Sequence, residues 1–159
     1  MRAGEPLRAR ERGFTLIWLM AAVAVLGIGM AVVGPLWAQQ TQREREDELL
    51  HVGIAYAQAI EHYARMSPAG VQQLPRSVAD LVLDARFPTP VRHLRAAYTD
   101  PMRPGEPLEL LRSPSGGLRG VASGSALAPL RQTSWTDGRH AVAPAARYRD
   151  WQFLANLSQ

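Results

Sequence analysis

The chain has 159 residues, 18 of them Lys or Arg and 14 Asp or Glu, for a formal net charge of +4; this size allows one small domain once an N-terminal segment is set aside. It contains no Cys, which excludes structural disulfides, Cys-ligated zinc and thiol chemistry together. Every basic residue other than His is Arg, and no basic run interleaved with aromatics occurs, so no nucleic-acid partner is expected.

Residues 1–13 form a leader in which Arg2, Arg8, Arg10 and Arg12 outnumber Glu5 and Glu11. From Phe14 to Ala38 no charged residue occurs over 25 positions. As a helix that stretch would cover roughly 37 Å, against roughly 30 Å for a bilayer core. Beyond it Arg43 and Arg45 are outnumbered by Glu44, Glu46, Asp47 and Glu48. Positive-inside asymmetry then predicts a cytoplasmic N-terminus and an exported remainder. A cleavable secretory signal has a shorter apolar core, about 7–15 residues, that precedes its cut site. Here the run is longer and the Gly comes first, which leaves an uncleaved signal anchor as the plain alternative.

Several spaced features of this segment agree with one pattern. Gly13 precedes Phe14-Thr15-Leu16-Ile17, Gly27 is the fourteenth residue after the glycine, and Pro35 is the twenty-second. The segment resembles the N-terminus of the type IV pilin and type II secretion pseudopilin families. That resemblance implies cleavage after Gly13 by a prepilin peptidase, N-methylation of Phe14, and a helix that kinks near Pro35. The fifth position departs from the pattern, with Trp18 where these families carry Glu. In them that Glu is thought to face the α-ammonium of a neighbouring Phe in an apolar core, where an unpaired charge costs several kcal/mol. Trp18 cannot supply the charge. Three consequences stay open: a tip or low-copy subunit, a minority subunit of the filament body, or a divergent paralogue that assembles poorly. The missing Cys departs from type IVa pilins that close a C-terminal loop with a disulfide, and agrees better with the pseudopilins.

One helix is expected from Phe14 to about residue 65, with the Gly34-Pro35 pair as a kink or weak point. Its second half carries Leu49, Val52, Tyr56, Ala59, Ile60 and Tyr63 at steps of three and four, one apolar face, with Glu61 and His62 off or beside it. Ser77 reads as an N-cap with Asp80 three residues on, ahead of a short helix ending near Asp84. Residues 91–98 are read as another helical turn. Segments 108–112, 118–123, 127–133 and 151–154 are strand candidates, Ser115-Gly116-Gly117 a hairpin turn, and 138–146 an exposed loop. The later layout, with Asp100-Pro101 and Gly105 before Leu108, resembles the major pseudopilins more loosely than the N-terminus does.

Little here suggests chemistry. The acidic group at 44–48 reads as a solvated helix face. His51 and His62 are about 16 Å apart along one helix and cannot share a metal, while His93 and His140 lack His or carboxylate neighbours at ligand spacing. The resemblance implies that a calcium site would need an Asp-rich C-terminal loop; Asp100, Asp137 and Asp150 are scattered, and Asp137 with backbone carbonyls is the remaining candidate. No metal or other cofactor is expected. Gly116-Gly117-Leu118-Arg119-Gly120 lacks the Lys-Ser/Thr of a phosphate loop, and no Ser sits in a nucleophile elbow, so no enzymatic activity is expected.

The sequence therefore predicts an α+β, pilin-like lollipop: a long kinked N-terminal helix packed on a small antiparallel sheet. Its parts would be a leader (1–13), a transmembrane and assembly helix (14–38) and a periplasmic head (39–159). The resemblance implies a structural subunit of a type II secretion pseudopilus or related type IV pilus in the bacterial inner membrane. The partners it implies are the prepilin peptidase, other pseudopilins or pilins, and the inner-membrane platform. An uncleaved, signal-anchored periplasmic binding module and a DNA-binding minor pilin are the alternatives. The DNA-binding alternative would need a basic stripe, for which Arg92, Arg95, Arg103, Arg112 and Arg119 are the candidates.

Overall fold

A computed structural model describes residues 12–68 and 71–157, with side chains at 14–28 and from Trp37 onward. The backbone divides into two compact units, one ending at Thr41 and one running from Gln42. The first is the N-terminal part of a single helix, α1, which spans Arg12–Arg65. The α1 backbone is helical through Pro35.

The second unit wraps a small α+β core around the rest of α1. Leu49, Val52, Tyr56, Ala59, Ile60 and Tyr63 are all buried, as their spacing predicts. Leu50, Gly53, Ile54 and Ala57 are buried as well, so the contact face is wider than one stripe. Each large apolar side chain fully buried here contributes about 1.5–3 kcal/mol against the entropy of ordering it. Gly53 allows a close approach on this face: a Cβ there would overlap the ring of Phe153.

A short helix, α2 (Val78–Val82), follows α1, with Asp80 Oδ2 accepting from the Ser77 N–H at 3.0 Å, as the capping pattern predicts. Three strands, β1 (Glu109–Arg112), β2 (Leu118–Ala122) and a C-terminal strand, Gln152–Leu154, form an antiparallel sheet with β2 in the middle. The β1–β2 hairpin turns at Gly116, whose φ of +83° is a left-handed conformation that suits glycine. Register runs Leu110↔Val121↔Phe153, with a bulge between Leu111 and Arg112. The α+β fold class, a helix packed on a small antiparallel sheet, is as the sequence predicts.

Three local expectations are corrected. Residues 91–98 form no helix: Val91 bridges to Asp84, and the N–H groups of His93 and Leu94 both donate to the Leu81 carbonyl at 2.9 Å. Segment 127–133 is not a strand: the Leu130 and Arg131 amides are taken by a side chain of α1, described below, the Leu127 amide by Ser125, and Pro129 has none to give. Residues 138–146 are not merely a loop. Trp135–Thr136 (β3) and Ala141–Val142 (β4) pair there as a second, two-stranded sheet. The C-terminal strand is accordingly β5.

Candidate assembly helix and its anchorage in the head

The sequence-predicted site residues all lie on the N-terminal part of α1. Among the described residues α1 begins at Arg12, so the Gly13–Phe14 bond lies within its helical backbone. Every described side chain from Phe14 to Ile28 is exposed, including Trp18 at 64 %. Gly27 has nothing within contact distance of where a Cβ would stand. The Pro35 side chain lies outside the described residues. Among the described residues no helix is long and apolar enough to cross a membrane.

From Gln42 onward α1 is fixed to the head by polar contacts that sequence reasoning missed. Glu46, read as part of a solvated face, is only 3 % exposed. Its carboxylate accepts from the N–H groups of Leu130 and Arg131, both at 3.0 Å, and from the Tyr148 hydroxyl at 2.8 Å. Gln42 adds donors to the Ala128 carbonyl at 3.2 Å and to the Tyr148 hydroxyl at 3.1 Å. Burial pushes the Tyr148 phenol up, and the Glu46 carboxylate reinforces that direction. A signal was present in the sequence: Glu46 lies three residues before Leu49 and four before Leu50, at the upstream end of the apolar face.

One full helical segment later, Glu61 is buried too. Its Oε1 accepts from the Asn156 N–H at 2.7 Å and from His140 Nε2 at 2.8 Å. The other ring nitrogen, His140 Nδ1, lies 3.2 Å from Asp137 Oδ2. With a carboxylate at each nitrogen, the doubly protonated ring satisfies both. Burial alone would lower the His140 pKa, but the two carboxylates outweigh it and the net direction is up. Asp137 is held down to about 2, first by the His140 and Arg139 amides that its Oδ1 accepts. This network ties β3–β4 and the chain after β5 to α1.

A third network closes the end of α1. Asp84, almost fully buried, accepts from Arg86 Nε at 2.9 Å and Nη2 at 2.7 Å, and the Arg86 guanidinium keeps its carboxyl far below the usual range. Arg86 also lies 3.5 Å over the Tyr63 ring and donates to the Tyr63 carbonyl at 3.0 Å. His93 Nε2 reaches Asp84 at 3.1 Å, and His93 Nδ1 stands 2.8 Å from His62 Nδ1. His93 and His140 thus do have His or carboxylate neighbours: Asp137 is only three residues from His140 and Asp84 nine from His93, while Glu61 and His62 are brought from α1. Neither network is a chelate, and among the described residues no group of three or more His, Cys, Asp or Glu could hold a metal ion. Asp100 and Asp150 stay apart from Asp137: Asp100 is buried against Ser123, and Asp150 pairs with Arg147.

No curated protein and no solved structure matches the chain. A family model described as the prokaryotic N-terminal methylation motif matches residues 8–34. The chain therefore carries, at the head of α1, the type IV pilin-like prepilin motif, which implies processing by a prepilin peptidase and a membrane-anchored N-terminus.

Proposed function

We propose that this chain is a structural subunit of a type II secretion pseudopilus or a related type IV pilus machine, and not an enzyme. The observation that carries the reading is a coincidence of position. The methylation motif at 8–34 overlies the start of a 54-residue helix whose described side chains from Phe14 to Ile28 are all exposed. A helix that is apolar all round needs lipid or other helices around it.

In this reading a prepilin peptidase cuts after Gly13 and removes Arg2, Arg8, Arg10 and Arg12 with the leader. Phe14 becomes the methylated N-terminus. Residues 14–38 first span the inner membrane, N-terminus inside as the charge asymmetry predicts, and then pack beside equivalent helices of neighbouring subunits. The exchange costs little, because one apolar surrounding replaces another. The Glu46, Glu61 and Asp84 networks hold the periplasmic head on α1, so displacement of the helix carries the head with it. Partners are the peptidase, other pilin-like subunits and the membrane platform that moves them.

The test is the intact mass and N-terminal sequence of protein extracted from membranes of cells that hold the processing machinery. The expected product lacks residues 1–13 and carries one added methyl group on Phe14. A chain that still begins at Met1 sinks the proposal and leaves the uncleaved anchor.

A further inference from the structure

A cleft of about 450 Å³ opens beside the C-terminal end of α1, with Leu94 and Tyr98 on its wall and His62, Arg65, Arg95 and Arg139 among its lining residues. These four basic side chains are exposed. They come from three separate segments: His62 and Arg65 from the last turn of α1, Arg95 from the irregular stretch after α2, and Arg139 from the β3–β4 turn. Among the described residues no carboxylate forms an ion pair with Arg65, Arg95 or Arg139. The charged Arg residues elsewhere in the head that do have partners, such as Arg86, Arg103, Arg131 and Arg147, show that acids were available in the fold.

Arg65 and His62 have a local reason to sit where they are, since cations favour the negative end of a helix dipole. Arg95 and Arg139 have none. All three guanidinium groups line one concavity, and among the described residues none is ion-paired to a carboxylate, so the cleft presents positive charge to an incoming anion. Positive potential is already felt inside the cleft. His62 Nδ1 and His93 Nδ1 stand 2.8 Å apart, and burial first, then the neighbouring His93 and Arg65, hold the His62 pKa below its ordinary value. Glu61 also lines the cleft, but its Oε1 is engaged by His140 and the Asn156 amide.

We propose that this cleft is a docking site for a carboxylate-rich segment of a partner polypeptide. Planar guanidinium groups match carboxylates in a bidentate manner, and the space fits a few side chains. A nucleic acid would need a track of phosphate contacts extending beyond one pocket, and Arg112 and Arg119 lie on β1 and β2, outside this lining. The proposal does not depend on cleavage after Gly13, so it can fail while that reading stands.

The experiment uses the full chain in detergent micelles and a fluorescent hexaglutamate peptide, with a ten-nucleotide oligothymidylate and inorganic phosphate as comparison probes. Hexaglutamate should bind in a salt-sensitive manner. The double variant Arg95→Gln/Arg139→Gln should weaken it by about tenfold or more, as loss of two complementary charges predicts. Arg119→Gln, at the one exposed residue of the otherwise buried β2, should leave binding unchanged. Absence of hexaglutamate binding, equal loss with Arg119→Gln, tighter binding of the oligonucleotide at the same residues, or retention by the double variant with its fold intact by circular dichroism would each overturn the proposal.

Discussion

Glu46 brings one carboxylate to donors more than eighty residues away in sequence, at Leu130, Arg131 and Tyr148. Two backbone amides that a strand would have used for pairing are satisfied by this one side chain, which is why 127–133 runs without a β partner. Replacing the carboxylate leaves those donors unmet. Glu46→Ala should therefore destabilise the head by about 3 kcal/mol, and Glu46→Gln by about half that because one acceptor oxygen remains. Thermal unfolding of the full chain in detergent measures both, and an unchanged midpoint for Glu46→Ala would refute the assignment. Gly53 teaches the same lesson about distance. Its spacing from Leu49 and Tyr56 places it on the buried face of α1, but only the fold shows that the Phe153 ring lies where its side chain would be.

At the level of elements, the two-residue strands β3 and β4 are too short to persist by themselves. The His140 bridge between Asp137 and Glu61 supplies what their pairing lacks. His140 is raised above its ordinary 6.5, so its contribution is fully present below pH 6.5 and is lost as the pH rises through the folded-state value. Asp137 is lowered from 3.8 to about 2, so its contribution is present above pH 3.8 and is lost as the pH falls toward 2. The hairpin should thus be tightest between about pH 3.8 and 6.5. Hydrogen exchange at the Ala141 and Val142 amides should quicken, beyond the intrinsic pH effect, as the pH is raised above 6.5. His140→Ala should abolish that additional pH dependence; if it persists in the variant, the clamp is placed wrongly.

Across the whole molecule, the proposed division of labour sets a helix that meets other helices against a head that meets the periplasm. Trp18 is where this chain departs from the pilin-like pattern, and it is exposed on α1. If assembly is limited by the missing carboxylate opposite a neighbour's α-ammonium, Trp18→Glu should raise crosslinking to neighbouring pilin-like subunits severalfold, since an offset charge in an apolar bundle is worth several kcal/mol. Crosslinking in membranes, quantified against unprocessed protein, checks this. No gain would mean that Trp18 is itself suited to the subunit's place, as at a tip.

What the sequence determined by itself is what is local along the chain. The order Gly13-Phe14 with Gly27 beyond it marked the N-terminal motif, which matches over 8–34, and the three-and-four spacing from Leu49 to Tyr63 marked the buried face of α1. The capping pattern at Ser77 and the turn at Gly116 were legible for the same reason, since each is set by a few adjacent residues. Only the tertiary structure decided the partners of Glu46, Glu61, His93 and His140, the β3–β4 pair, and the gathering of Arg65, Arg95 and Arg139 around one cleft. Most of those depend on residues separated by long stretches of chain, and a polar side chain shows the same letters whether it faces water or a buried donor; β3 and β4 are close in sequence, but strands of two residues are too short to show a period. Burial and partnership are properties of packing, and no period in the sequence encodes them.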